Sequence, residues 1–329
     1  MEFKELQKIL NNKPKVVIVT HKNPDGDAMG SSLGLAGVLK KKGCSVEIIA
    51  PTEYPVFLNW LKGNEDVLVW GKDNKAIKNS ISHADVLFCL DFNSLHRIDG
   101  VGDLISESKG KKVMIDHHQQ PDNFVDYMMS DTSASSTAEM VYEFIEQLGD
   151  VNLIDGDIGE AIYCGIMTDT GSFRFPSTTY KTHKIVGELI QKGANHSMVH
   201  RRIYDCNTKR RLKLVGYCLL NMEVLDSQKV AIIKISKEDH KTYNIQKGDT
   251  EGIVNYGLSM PHIQCSVFFR EDDGIVKISF RSKDDYNVNE FARSHFNGGG
   301  HVNAAGGMSK DSLEVTVDRF KKIILSKDD

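Results

Sequence analysis

The stretch VVIVTHKNPDGDAMGSS (16–32) decides the fold of this chain. It opens inside a compact β-branched run, residues 15–20, which predicts a short buried strand. The chain then breaks at Pro24 and Gly26, where His21, Asp25 and Asp27 crowd one tight loop. Behind the loop, residues 28–42 predict a helix, with Met29, Leu33, Ala36, Val38 and Leu39 apolar. Lys40, Lys41 and Lys42 fall at its C-terminal end, where cations suit the helix dipole. Gly43 closes the helix and residues 45–50 predict the next strand.

Working outward, short apolar runs leading into acids or histidines recur: Asp91 in FCLDFNS (88–94) and Asp116-His117-His118 in KVMIDHHQQ (112–120). A further acid, Asp169 in GIMTDTGSF (165–173), follows a predicted helix over residues 155–168. Residues 85–90 and 111–115 predict buried strands, and residues 134–148 and 181–192 predict helices. Strand and helix signals alternating to about residue 195 imply βαβ crossovers and a mostly parallel sheet flanked by helices. In such a sheet ligands sit beyond the carboxyl ends of the strands, so the scattered acids and histidines can share one pocket. Residues 196–228, with HRRIYDCNTKRRLK (200–213), read as a helical connector. From residue 229 to 329 a smaller α/β domain is expected, with strands at 230–235, 264–269 and 276–281 and a helix at 287–296. The glycine-rich FNGGGHVNAAGGMS (296–309) follows it.

The 329 residues allow one large domain or two ordinary ones, and 40% hydrophobic with 26% charged residues is a globular composition. No signal-peptide layout or membrane-spanning run is read, so a cytoplasmic protein without a membrane partner is expected. The six widely spaced cysteines suit reduced, mostly buried thiols. A net charge of −4 argues against stable binding of duplex nucleic acid but allows a short anionic substrate.

Carboxylates and imidazoles gathered without cysteine suit hard or borderline divalent ions. Taken singly, Asp25 or Asp27 reads equally as a helix N-cap, and Asp91 or Asp116 as a strand-end turn residue. The spacing His21-x3-Asp25-x-Asp27 lets the two acids point the same way in extended backbone, so each can reach a different ion.

The ordered set HxxxDxD at the first strand, a lone Asp91, Asp116-His117-His118 and Asp169 before a glycine resembles the DHH phosphoesterase superfamily. GGGHVNAAGG (298–307) resembles the signature of the DHHA1 domain that partners it. EGIVNYGLSM (251–260), ISFRSK (278–283) and VNEFARSHFNGGGHVNAAGG (288–307) look most like stand-alone nanoRNases and pAp phosphatases. The resemblance implies an N-terminal DHH domain (1–195), the connector (196–228) and a DHHA1 substrate-binding domain (229–329). It implies one ion on His21, Asp25 and Asp91 and a second on Asp27, Asp91, His117 and Asp169, with Asp91 bridging. Asp116 would orient the neighbouring histidine. His118 would face the substrate phosphate, or protonate the departing ribose oxygen. Two Mn²⁺ ions are expected, with Mg²⁺ or Co²⁺ as substitutes, because imidazole on both sites favours Mn²⁺. The paired ions would activate a shared water and clamp an in-line displacement.

The same resemblance implies a hydrolase of short oligoribonucleotides that would also convert pAp to AMP and phosphate. Gly299, Gly300 and His301 would bind phosphate, although the glycines alone read equally as a helix stop. Arg281 can fork onto a phosphate, and Asn255 is a weaker candidate for base or ribose contact. The six basic residues between Arg201 and Lys213 read first as a solvated helix face and second as a steering patch for RNA. Tyr256 and Phe280 read as core before stacking platforms. Phosphodiesterase action on pApA or cyclic di-AMP, exopolyphosphatase or pyrophosphatase activity, and a non-catalytic nucleotide binder are the competing expectations. A homodimer is plausible by resemblance.

Overall fold

A computed structural model describes residues 3–246 and 248–326 of the chain. Residues 1–2 of the expected first domain, and 247 and 327–329 of the second, lie outside the described residues. The chain divides into two compact units, Met1–Cys206 and Asn207–Asp329.

The N-terminal unit runs α1 (Lys4–Asn11), β1 (Lys15–Val19), α2 (Gly26–Lys41), β2 (Ser45–Ala50), β3 (Leu68–Val69), α3 (Asn74–Ser82), β4 (Val86–Leu90) and α4 (Gly102–Glu107). It continues through β5 (Lys111–Asp116), β6 (Tyr127–Ser130), α5 (Thr137–Gln147), α6 (Gly156–Asp169), α7 (Tyr180–Gln191) and α8 (His196–Tyr204). Its six strands are all parallel, in the order β3-β2-β1-β4-β5-β6. Both faces are covered, which is why the central strands read as unbroken apolar runs. Val16 and Ile18 of β1, with Phe88 and Leu90 of β4, enter one core against α2, α5 and α6. Val17, Val19, Leu87 and Cys89, the alternate residues, enter a second core against α3 and α4.

Glycines set how closely the first layer packs. Gly26, Gly30, Gly34 and Gly37 recur along the face of α2 that lies on α6. A Cβ at Gly30 would fall 2.8 Å from the Gly165 nitrogen and closer still to the Ala161 carbonyl oxygen. A Cβ at Gly165 would meet the Ala138 Cβ at 2.5 Å and the Asp27 Oδ1 at 2.9 Å. Three helices therefore meet backbone to backbone around Asp27.

The C-terminal unit runs α9 (Lys209–Leu220), β7 (Glu223–Leu225), β8 (Val230–Ile235), α10 (Lys237–Thr242), β9 (Cys265–Asp272) and β10 (Ile275–Ser282). It ends with α11 (Val288–His295), β11 (Gly299–Gly300), β12 (Ala304–Ser309) and α12 (Leu313–Leu325). Its mixed sheet has the order β11-β12-β10-β9-β8-β7, with β8 and β9 parallel and the other neighbours antiparallel. Val230, Val267, Phe280 and Phe320 mark one core. Ile233, Phe268, Leu214 and Val254 mark the other. Segment 196–228 is two helices and a strand: α8 ends within the first unit, while α9 and β7 belong to the second. No disulfide joins the six cysteines, and all but Cys206 are buried. Among the described residues, no helix is long and apolar enough to cross a membrane.

Candidate metal centre

The strand order reverses between β1 and β4, opening a crevice at their carboxyl ends. His21 follows β1, Asp91 follows β4, Asp116 ends β5, and His117 and His118 come next. Asp169 arrives differently, as the last residue of α6, carried to the crevice by the close contact of α6 with α2. Asp25 caps α2, its Oδ1 accepting from the Asp27 and Ala28 backbone N–H groups, so the cap reading and the ligand reading describe one side chain.

Three sets of donor atoms form within this unit, each with its atoms within 4.8 Å of one another: His21, Asp25 and Asp91; Asp27, His117 and Asp169; Asp91, Asp116 and His118. Asp91 joins them. Its Oδ2 lies 3.2 Å from His21 Nε2, and its Oδ1 lies 3.6 Å from His117 Nε2. His117 Nε2 is also 3.4 Å from Asp169 Oδ2 and 3.8 Å from Asp27 Oδ2. Asp91 adopts φ 64°, a left-handed conformation uncommon outside glycine and best tolerated by Asp and Asn. Backbone strain at the shared carboxylate fits a residue placed for chemistry.

Hydrogen bonds fix which nitrogens face the acids. His21 Nδ1 donates to the Lys22 carbonyl at 2.7 Å and His117 Nδ1 to the Ala134 carbonyl at 3.3 Å. When neutral, each ring would therefore turn the lone pair of Nε2 inward. His118 differs: its Nδ1 lies 2.7 Å from Asp116 Oδ1, and its backbone N–H bonds Asp116 Oδ2 at 2.9 Å. Asp116, fully buried, thus holds His118 from below.

A second layer comes from the start of α5. Thr137 N–H and Ala138 N–H bond the two oxygens of Asp27 at 2.7 and 2.8 Å. Thr137 Oγ1 donates to Asp91 Oδ1 at 2.9 Å. Ser136 caps this helix, and buried Glu139 in its first turn accepts from Ser135 and Thr182.

The electrostatics are those of a site built for added positive charge. Burial and the neighbouring Asp91, Asp169 and Asp25 push the Asp27 carboxyl well above its usual range. Burial, opposed by His117 and reinforced by Asp25 and Asp91, raises Asp169 to about 6. Burial disfavours charge on His21, but Asp91 and Asp25 outweigh it and lift the imidazole to about 9. Burial likewise opposes the charge on His117, yet Asp169 and Asp91 raise it. Burial pushes Asp91 up too, but His21, His118 and His117 hold it far below the ordinary carboxylate range. Protons here stand where cations would. Oxygen and imidazole donors with no thiolate match the divalent ions the sequence implies.

The sequence reading missed Arg97 and Thr137. Arg97 lies in a short turn after Asp91, with Nη2 3.2 Å from His118 Nε2. Thr137 opens α5 directly after its Ser136 cap, a sufficient reason for its residue type without any site.

In the C-terminal unit, Arg281 pairs in register with Ala304, and the turn after β11 closes with His301 N–H on the Ala304 carbonyl at 2.8 Å. Arg281, Gly299, Gly300 and His301 thus share one end of the sheet. The glycines serve hairpin closure: Gly300 has φ 149°, and a Cβ there would meet the Ala304 carbonyl oxygen. Gly300 N–H is bonded to Asn289 Oδ1 at 2.9 Å. Asn255 sits in the turn Ile253–Ser259, whose Gly257 lies on Ser266, the register partner of Arg281. Its buried Oδ1 lacks a hydrogen bond among the described residues. Phe280 is core, whereas Tyr256 is exposed. Of the basic residues 201–213, Arg210 pairs with Asp249 and Arg211 bonds the carbonyls of Asp249 and Glu251.

Residues 15–166 match the DHH family, N-terminal domain, and residues 227–326 match the DHHA1 domain. The bifunctional oligoribonuclease and PAP phosphatase NrnA of Bacillus subtilis (strain 168) is 33% identical over 304 residues, 92% of this chain and 91% of that protein. A probable bifunctional oligoribonuclease and PAP phosphatase NrnA of Streptococcus mutans is 29% identical over 98% of this chain and 97% of its own. Among solved structures, an exopolyphosphatase-related protein from Bacteroides fragilis has a TM-score of 0.95 at 39% identity, covering 99% of this chain and 96% of that one.

Proposed function

This chain belongs to the DHH family of phosphoesterases and is a hydrolase, and we propose that it degrades short oligoribonucleotides to mononucleotides and converts pAp to AMP and phosphate. The observation that carries the reading is the division of Asp91, one oxygen toward His21 and the other toward His117. One ion would rest on His21, Asp25 and Asp91 and a second on Asp27, Asp91, His117 and Asp169, with Mn²⁺ the favoured metal and Mg²⁺ or Co²⁺ substitutes. When bound, such a pair would activate water and neutralise charge at a phosphate. Asp116 fixes the ring of His118, which faces the phosphate. Arg281, Gly299, Gly300, His301 and Asn255 would supply substrate contacts, and the DHHA1 match supports giving that task to their unit.

Sequence bounds of 1–195, 196–228 and 229–329 belong to this proposal as the metal-binding domain, connector and substrate-binding domain. So do a cytoplasmic location, a homodimer and indifference to duplex nucleic acid. Sedimentation and duplex gel shifts check the last two.

The test is hydrolysis by metal-stripped protein, with and without Mn²⁺, of pAp, pApA, a 5′-labelled RNA pentamer, cyclic di-AMP and polyphosphate. Mn²⁺-dependent release of mononucleotides from the pentamer and pApA, with turnover of pAp, is the expected result. Consumption of polyphosphate alone would overturn the substrate assignment and favour the activity in the name of the Bacteroides fragilis relative.

A further inference from the structure

We propose that Arg97 is a phosphate-binding arginine of this centre, gripping non-bridging oxygens of the scissile phosphate beside His118. The inference rests on the phosphoesterase reading above. Arg97 stands in the turn Leu95–Val101, six residues beyond the shared Asp91. Its placement is fixed twice. The Arg97 carbonyl accepts the Lys22 N–H at 2.8 Å, next to His21, and the Lys22 ammonium reaches Asp99 of the same turn at 3.2 Å. The side chain then points to His118, with Nη2 3.2 Å from Nε2.

The partners of that side chain are unusual for its surroundings. A guanidinium carries five N–H donors and pairs most readily with a carboxylate. Acids abound nearby, yet His118 Nε2 is the single acceptor found for Arg97 among the described residues. The nearby carboxylates are committed elsewhere: Asp99 to Lys22, Asp122 to Ser94, and Asp116 to His118. A half-buried arginine with most of its donors open, held at the rim of a cluster of acids, is poised for an incoming anion.

The contact with His118 also fixes a polarity. Arginine only donates, so His118 Nε2 accepts, and the ring proton lies on Nδ1 toward Asp116. Asp116, His118 and Arg97 form one chain whose outer end is cationic. During hydrolysis water attacks phosphorus, the bond to the departing ribose oxygen breaks, and that oxygen ends with the proton the attacking water gives up. Arg97 keeps all its protons throughout and offers hydrogen bonds to the oxygens on which charge gathers. Its planar fork can serve two of them, which a lysine ammonium cannot do with the same geometry.

The test compares the full-length Mn²⁺-loaded protein with Arg97→Gln and Arg97→Lys. Titration followed by the Mn²⁺ spin-resonance signal should show parental metal binding in both variants. Calorimetric binding of inorganic phosphate to the loaded protein should weaken about 10- to 100-fold in Arg97→Gln. Turnover of pAp and pApA should fall about 10²- to 10³-fold in kcat/KM, with partial recovery in Arg97→Lys. Parental phosphate affinity and turnover in Arg97→Gln would overturn the assignment. So would loss of Mn²⁺ binding in step with activity, which would make Arg97 a support of the metal ligands. If Arg97→Gln loses phosphate affinity while the parent hydrolyses none of the nucleotides, Arg97 stands and the substrate reading falls instead.

Discussion

Replacing Gly30 with alanine tests the mechanism by which helix packing assembles the centre. In an open helix the change would stabilise, since alanine exceeds glycine by about 1 kcal/mol in helix propensity. At residue 30 the new Cβ lies 2.8 Å from the Gly165 nitrogen, whereas ordinary contact begins near 3.4 Å. The obstruction is backbone, which no rotamer change can clear, so α2 and α6 must part by about 0.6 Å or more. Overpacking of this kind costs about 1–3 kcal/mol, and a backbone obstruction belongs at the upper end. The net expectation is destabilisation by about 1–2 kcal/mol, or roughly 2–8 °C in a unit of this size. Gly187→Ala on α7 is the control, because a Cβ there meets nothing within 4 Å and should stabilise. Both tryptophans, Trp60 and Trp70, lie in the N-terminal unit, so urea unfolding followed by their fluorescence reports that unit alone. The parting also separates Asp27 on α2 from Asp169 on α6, and Mn²⁺ affinity should fall by about tenfold or more. A Gly30→Ala protein as stable as Gly187→Ala, with parental Mn²⁺ affinity, would refute the reasoning.

Three further expectations follow from the same geometry. Asp91→Asn, compatible with the left-handed backbone, should fold close to the parent, whereas Asp91→Ala should lose a further 1–2 kcal/mol or so; urea curves separate the two. Both should lose more turnover than the roughly 100-fold typical of supporting residues, and near-parental rates in either would sink the shared-ligand assignment. Thr137→Val removes the donor to Asp91 without changing shape, so Mn²⁺ affinity should fall about 10- to 100-fold and return in Thr137→Ser; equal affinities in all three would show the hydroxyl to be idle. Because His21 is raised from 6.5 to about 9, its contribution to the metal-free fold is complete below pH 6.5 and fades as pH climbs toward 9. Chelated protein should therefore lose stability across that window. Calorimetry at pH 7.5 in buffers of different ionisation enthalpy should show protons released on Mn²⁺ binding, and no release would contradict the raised values.

The parallel sheet and the residues gathered at its carboxyl edge were legible because buried strands carry unbroken apolar runs, and His21, Asp91, Asp116 and His117 stand where those runs end. Other elements left weaker signals. β3 has two residues, and β6 is a half-buried edge whose apolar run, Tyr127 to Met129, is only three residues long. The turn 298–309 reads as a glycine loop, yet its glycines let β11 and β12 approach. Glycines along α2 were equally visible, but apolar periodicity gives weight to Met29 and Leu33 and none to Gly30. Arg97 was hidden for another reason: nothing local distinguishes an arginine in a surface turn from one whose backbone is tied across the sheet to Lys22.

The insertion of β4 beside β1 has a consequence for biosynthesis. The candidate ligands, spread from His21 to Asp169, cannot all meet until the 148 residues that follow His21, through Asp169, have been made. At about 5–20 residues per second, the first histidine waits some 7–30 s for the last acid. Until then the nascent chain lacks the last acid of the second candidate set, although His21, Asp25 and Asp91 of the first are already made. Arrival of α6 supplies Asp169 while α7 and α8 are still to come, so filling of the second proposed site would mark the docking of α6 on α2 rather than the end of N-terminal folding.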